Sequence, residues 1–134
     1  MNIQEICRSM LDNADLSIDL SAFPMVTLDM IVHGSVNDKF WKVVFVCGQV
    51  VHIDAQFDSE SENNERFLLL EARVNETIKK SMSKLIQERM DDLGGEDPIW
   101  DLYLYGSVSL KIVTTKFAWE LLELSAQEYE AAYA

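Results

Sequence analysis

An α+β fold, built mainly on an antiparallel sheet of about five or six strands with an N-terminal helix, a central helix over about 77–93 and a short C-terminal helix, is what this sequence predicts. Two observations carry the prediction. The spacing of apolar residues switches between the 3.6-residue period of a helix and the 2-residue period of a strand, and glycine-bearing turns separate the period-2 runs. At 134 residues and 49% hydrophobic content, the chain is long enough for one continuous core, so 1–134 reads as a single domain.

Ile3, Ile6, Cys7, Met10 and Leu11 gather on one face of a helix of about three turns. Asn13 to Ser21 mixes Asp15, Ser17, Asp19 and Ser21 with isolated apolar residues and reads as a connector that Pro24 ends. Val26, Leu28, Met30 and Val32 then alternate with polar residues, as do Trp41, Val43, Phe45 and Cys47. With turn chemistry from Gly34 to Lys39 between them, these runs predict an antiparallel hairpin with Asn37 and Asp38 at its tip. Gly48-Gln49 reads as a tight turn or a bulge, with the turn favoured, before a third strand through Val51, Ile53, Ala55 and Phe57. The run 58–65 holds no apolar residue and is expected to be a solvated loop. A strand from Phe67 to Val74 follows.

Helical spacing returns with Ile78, Met82, Leu85, Ile86, Met90 and Leu93, stopped by Gly94-Gly95. Leu102 to Tyr105 and Val108 to Thr115 read as strand around Gly106-Ser107, and Lys116 to Leu124 continues extended. Ser125-Ala126-Gln127-Glu128 matches a capping box that opens a terminal helix. The order suggests an antiparallel sheet with one helix-covered face. Asp29-Met30-Ile31-Val32-His33-Gly34-Ser35-Val36 echoes Asp101-Leu102-Tyr103-Leu104-Tyr105-Gly106-Ser107-Val108. Two strands meeting similar glycine turns give the same letters, and that packing origin is favoured over a duplicated half-site with pseudo-symmetry.

With 23 acidic and 11 basic residues the formal net charge is -12. Such a charge repels phosphate backbones and anionic lipid, and it steers basic partners inward. Direct nucleic-acid or membrane binding is therefore disfavoured, although the charge also serves solubility alone. Cys7 and Cys47 stand in apolar patterns without metal or redox spacing and read as buried free thiols. The N-terminus has no basic start and long apolar run, so a cytoplasmic location is expected.

No known chemistry presents itself, so no catalytic residue, cofactor or metal site is assigned. The five glycines form neither GxGxxG nor GxxxxGK[ST]. His33 and His52 are the only histidines; each falls on the polar side of its strand, where a half-exposed surface residue is the ordinary reading. If they met beside Asp29 or Asp54 they would make a metal or general-base constellation. Ser35 or Ser107 with His33 could form a triad on paper, and Asp29, Asp54, Glu71 and Asp101 could pair as carboxylates, but 23 acids make such coincidences common. Trp41, Trp100, Trp119, Tyr103 and Tyr105 read mainly as packing. Tyr103 and Tyr105 on one face with Trp41 would instead form an interaction surface.

Acids concentrate in three places: Asp58, Glu60, Glu62 and Glu65; Asp91, Asp92, Glu96 and Asp97; and Glu120, Glu123, Glu128 and Glu130. Asp91 and Asp92 at a helix C-terminus oppose its dipole by a few tenths of a kcal/mol each, roughly. Meeting a basic partner would explain their presence, and so would drift on a solvated face. The first two groups are the candidate partner-binding residues.

This acidic single domain, with its strand-rich segment from Trp100-Asp101-Leu102-Tyr103-Leu104-Tyr105-Gly106 through Lys111-Ile112-Val113 to Phe117-Ala118-Trp119-Glu120, resembles the small immunity proteins that neutralise polymorphic or contact-delivered bacterial toxins. That resemblance implies a non-enzymatic protein, monomeric or homodimeric, that shields a basic toxin or nuclease domain. The order of helices and strands also resembles type III secretion chaperones, which would imply a dimer with apolar grooves. A nucleic-acid-mimicking inhibitor would need acids spaced like phosphates, and these are clustered in loops. A small enzyme or ligand-binding domain using His33 or His52 is the remaining alternative.

Overall fold

The computed structural model describes residues 2–57 and 66–132. Along the chain lie α1 (Ile3–Ser9), β1 (Ala14–Asp19), β2 (Val26–Val32), β3 (Phe40–Cys47), β4 (Val50–Phe57), β5 (Phe67–Thr77), a 3-10 turn at Lys79–Ser81, α2 (Lys84–Leu93), β6 (Ile99–Gly106), β7 (Val108–Thr114), β8 (Phe117–Leu124) and α3 (Ala126–Ala131). The expected five or six strands are thus corrected to eight, all antiparallel, in the order β4-β7-β6-β5-β1-β2-β3-β8.

Two of the extra strands have plain causes. Ala14, Leu16 and Ile18 alternate with Asp15, Ser17 and Asp19, and the segment read as a connector is β1, paired with β2 from Ala14↔Val32 to Asp19↔Thr27. Lys116 to Leu124 does not simply continue β7. The chain changes partner at Thr115-Lys116 and runs beside β3 for eight residues.

Gly48-Gln49 is a bend, not a tight hairpin turn. β3 and β4 are not neighbours in the sheet. Cys47 on β3 pairs with Phe117, and three residues later Val50 on β4 pairs with Thr114. The β3–β8 ribbon at one end of the sheet therefore continues into the β4–β7 ribbon at the other. The sheet closes on itself through this corner, where the ribbon bends from one layer into the other. Gly48 N–H donates to Lys116 O at 2.7 Å and Thr115 N–H to Gln49 O at 3.0 Å. The buried Thr114 hydroxyl lies 2.9 Å from Gln49 O and 3.1 Å from Lys116 O.

The strand order reads the same after β1–β4 are exchanged for β5–β8, so the molecule has a pseudo-two-fold topology. The sequence echo falls on equivalent strands, β2 and β6. Its two aspartates take equivalent places as well. Asp29 lies 3.4 Å from Lys42, which pairs with Ile31, and Asp101 feels Lys111, which pairs with Tyr103. Here the duplicated reading describes the topology better than the packing origin favoured from the letters.

The main core lies between the two layers and includes Leu16, Leu28, Met30, Phe45, Leu69, Leu102, Leu104 and Ile112. Full burial of such a side chain stabilises by roughly 2 kcal/mol. The helices sit in three separate places, which corrects the single helix-covered face. β1 and β5 share only three pairs, Ala14↔Leu69 to Leu16↔Phe67. Along the rest of β5 lies α1, whose Gln4 side chain donates to Val74 O at 2.9 Å, while Asp12 N–H donates to Leu70 O at 2.8 Å. α1 buries Ile6 and Cys7 there, with Met10 at its C-cap.

α2 covers a second, smaller cluster of Val51, Met90, Ile99 and Val113. It starts at Lys84, not near residue 77, because β5 runs on to Thr77 and Ser83 caps the helix by accepting from Ile86 N–H. Of its expected apolar face, Ile86 and Met90 pack inward, whereas Leu85 and Leu93 are exposed. α3 begins with the expected capping box, Ser125 and Glu128 bonding reciprocally at 3.1 Å. The Ser125 N–H, and after it the Ser125 hydroxyl, holds the Glu128 carboxyl below its ordinary range.

Both cysteines are buried free thiols, and burial pushes Cys7 up to about 11 and Cys47 up to about 12. Because the thiolate is the reactive form, modification by a disulfide reagent at pH 8 is expected to run at least about 100-fold slower than for free cysteine. In denaturant both thiols should titrate promptly. Fast labelling of either in the native protein contradicts their burial.

Candidate partner-binding surface

The described residues bring the sequence-predicted site together only in part. Asp58, Glu60, Glu62 and Glu65 lie outside the described residues. The residues flanking them are clear, with the Phe57 and Phe67 rings 5.4 Å apart. Phe57 is seven residues along β4 from Val50 at the corner, about 23 Å for an extended strand. Asp91, Asp92, Glu96 and Asp97 surround the C-terminal end of α2, whose Leu93 carbonyl is bonded by Gln49 of the corner. The anchors of the first acidic run and the second acidic group therefore stand at opposite ends of β4.

Within the second group, two acids have structural work. The Lys79 ammonium pairs with Asp91, and Lys79 N–H donates to Asp97 Oδ1 at 2.7 Å. A cation on Asp91 offsets the helix-dipole penalty read from the sequence. Asp92 and Glu96 are exposed and have no partner among the described residues.

Sequence reasoning missed the apolar half of this surface. After β1, the Asp19 carboxylate accepts Ser21 N–H at 2.8 Å, which starts a turn, and the Ser21 side chain together with that N–H holds the exposed carboxyl below its usual range. Phe23 N–H then donates to Leu20 O, and Met25 N–H to Ala22 O. The resulting tip exposes Leu20 (51%), Phe23 (55%) and Met25 (40%). It is tied to the corner because Val50 N–H donates to Pro24 O at 2.9 Å. From the other side, Gln49 Nε2 reaches Leu93 O at 3.3 Å, while its Oε1 accepts from the Thr115 hydroxyl at 2.6 Å. Leu93 is 48% exposed. Phe23, Met25 and Leu93 thus stand about one corner, beside Asp92 and Glu96. The turn residues have no period, so only their apolar identity between two strands could have drawn attention to them.

The other candidates separate. His33 Nε2 donates to Asp15 Oδ2 at 2.9 Å at the end of β2 away from the corner. His52 Nδ1 accepts from Arg89 Nη1 at 2.7 Å; a guanidinium only donates, so the ring proton sits on Nε2. The two histidines have separate partners, Asp15 of β1 and Arg89 of α2, and neither Ser35 nor Ser107 is bonded to His33. Asp29 pairs with Lys42 and leaves Oδ1 unpartnered among the described residues. Glu71 is bound by its neighbour Arg73 at 2.7 Å. Asp101 is half-buried, and that burial raises its carboxyl, partly offset by Lys111. Among the described residues no group of three His, Cys, Asp or Glu side chains is placed to hold a metal ion.

Tyr103 and Tyr105 stack at 6.4 Å on the outside of β6, with Lys111 6.0 Å from the Tyr103 ring centre. Trp41 packs against the core on the inside of the other layer, so the three aromatics do not share a face. The register aligns Asp54, Lys111, Tyr103 and Arg73 across this outer surface, one acid and two bases around a tyrosine. Between α1 and β5 lies an open groove of about 420 Å³ lined by Gln4, Cys7, Arg8, Leu11, Ala72 and Arg73 among others. Its lining contains no histidine; it includes the Cys7 thiol, which burial holds protonated, and the Glu71 carboxylate, which Arg73 binds.

Among the described residues no helix is long and apolar enough to cross a membrane. The chain matches no protein-family model, and no curated protein or solved structure is significantly similar to it.

Proposed function

We propose that this chain is a binding protein that shields a basic protein partner, and that the partner docks on the corner formed by Leu20–Met25, Gly48–Val50 and the end of α2. One observation carries the reading: three exposed apolar side chains, Phe23, Met25 and Leu93, are held about a hydrogen-bonded corner beside acids that have no partner among the described residues. Such a surface supplies what a protein interface needs, an apolar anchor with a charged rim. A net charge of -12 speeds the approach of a cationic partner and makes the rate salt-dependent.

Neutralisation of a basic toxin, as by the immunity proteins the sequence resembles, is the specific form of this function. The chaperone-like alternative has less support, because five strands precede α2 here and three follow it. That order departs from the one the resemblance to type III secretion chaperones implies, in which three strands precede the central helix and two follow it.

The tagged protein, used to capture partners from its own cells at low and moderate salt, is expected to retain one basic protein. Phe23→Ala should then weaken the purified complex by at least about 30-fold, the scale of an interface hot spot. The pair Asp92→Asn and Glu96→Gln should chiefly slow association and flatten its salt dependence. Capture of no basic protein, or wild-type affinity in all three variants, overturns the reading.

A further inference from the structure

We propose that the basic partner adds an extended segment as a further strand on the free edge of β8, a mode of binding that rests on the reading above and starts from the same corner. A closed sheet of this topology leaves two edges, β4 and β8, which are equivalent under the pseudo-two-fold. Exposed strand edges invite pairing, and proteins blunt them with bulges, prolines, lysines or a covering element. β4 carries such protection. Its register shifts between Val50 and His52, α2 lies against it, and Arg89 from α2 bonds its His52.

β8 lacks these devices apart from charge: its edge carries Glu120 and Glu123, which repel an acidic strand and admit a basic one. Phe117-Ala118-Trp119-Glu120-Leu121-Leu122-Glu123-Leu124 contains no proline or lysine and pairs with β3 without a bulge, from Phe40↔Leu124 to Cys47↔Phe117. The following helix, α3, packs at the Leu124 end of β8 and reaches β3 through one side chain. Its Tyr129 ring stacks on Phe40 at 4.3 Å, and its hydroxyl accepts Gly34 N–H at 2.9 Å. Among the described residues no strand lies on the other side of β8.

The side chains along this edge define the occupant. Phe117, Trp119 and Leu121 are partly buried and extend the core row of β3, so an added strand would continue that row with apolar residues. Glu120 and Glu123 are exposed, one on each face of the ribbon. Glu120 has no partner among the described residues. Glu123 meets Lys39 at 3.8 Å with both side chains more than half exposed, a pair worth little. Glu130 of α3 adds a further exposed acid nearby. Directly opposite residues in an antiparallel pair lie about 5 Å apart. A strand that alternates apolar residues with Lys or Arg therefore complements β8, its apolar residues continuing the row of Phe117, Trp119 and Leu121 and its cations facing Glu120. A second copy would bring glutamates towards glutamates, between two molecules of charge -12.

The test uses a ten-residue peptide of alternating lysine and valine as probe, with the ¹⁵N-labelled full chain. Binding is expected to slow hydrogen exchange at alternate amides of 117–124 by at least tenfold. N-methylation of the peptide on one edge should abolish that protection. Glu120→Lys with Glu123→Lys, both at exposed positions, should weaken binding at least tenfold. Three results overturn the inference: unchanged exchange along β8, equal protection by the methylated peptide, or protection of β8 by self-association without peptide. Shifts confined to Phe23, Met25 and Leu93 would overturn strand addition while leaving the corner as the docking surface. An absence of any peptide binding likewise overturns strand addition, and the corner reading then stands or falls on its own capture experiment.

Discussion

Replacement of Gly106 by alanine is expected to destabilise the protein by about 3 kcal/mol or more, the upper range for forcing atoms into a packed interior. A Cβ there would lie 2.0 Å from the Leu68 carbonyl oxygen, 2.9 Å from its carbon and 3.0 Å from Leu69 Cα. All three are backbone atoms, so no rotamer relieves the contact. The Leu68 carbonyl also accepts Ser107 N–H at 2.9 Å, and the β5–β6 register shifts between Leu69 and Glu71. Moving β6 away would break that bond and disturb the bulge. Gly34→Ala is the control. Gly34 has φ +71° with open space around a built Cβ, so its cost is the left-handed backbone alone, about 1–2 kcal/mol. Urea unfolding followed by circular dichroism checks both. A Gly106→Ala cost no larger than that of Gly34→Ala would refute the close-approach account.

These two glycines show what the sequence could and could not convey. They occupy the same place in the echoed octets, yet Gly34 is required by its φ and Gly106 by a neighbouring backbone. The letters give the strand-turn pattern, and they cannot give the second strand that lies against Gly106. The β2–β3 hairpin, the Gly94 helix stop and the Ser125 capping box were legible because each is decided by residues a few positions apart. β1 was obscured because its outward positions are Asp15, Ser17 and Asp19, short polar residues that also favour turns. The early helix start followed from Ile78 and Met82, whose spacing is helical although Ile78 is exposed.

Closure of the sheet was not legible at all, since Gly48-Gln49 looks the same as a hairpin turn unless the pairing of Val50 with Thr114 is known. The candidate site divides in the same way. Acids could be counted, but their partners could not, and Lys79 takes up two of the four in 91–97. Phe23 and Leu93 gain meaning only from Gln49 and Val50, which bring segments about 70 residues apart to one corner.

Phe45→Ala tests whether that closure makes one cooperative unit. Phe45 is fully buried on β3, opposite Leu28 on one side and Trp119 on the other. Its ring meets Phe117 edge-on at 5.3 Å, and Phe117 in turn lies 6.2 Å from Trp100 on β6. The aromatic chain thus crosses from the β1–β2–β3–β8 layer to the β5–β6–β7–β4 layer. Loss of the ring removes its transfer energy and leaves a cavity that a closed sheet cannot readily collapse, an expected cost of about 3–5 kcal/mol. That is a large share of the roughly 5–15 kcal/mol that holds a domain of this size. Because both layers share the core, the most protected amides of β2 and of β6 should lose protection by the same free energy in native-state hydrogen exchange. Tryptophan fluorescence and circular dichroism should also report one coincident transition. If β2 lost protection while β6 kept it, the corner at Gly48 and Lys116 would be joining two separately stable layers. The rigidity that the docking surface draws from it would then belong to one layer alone.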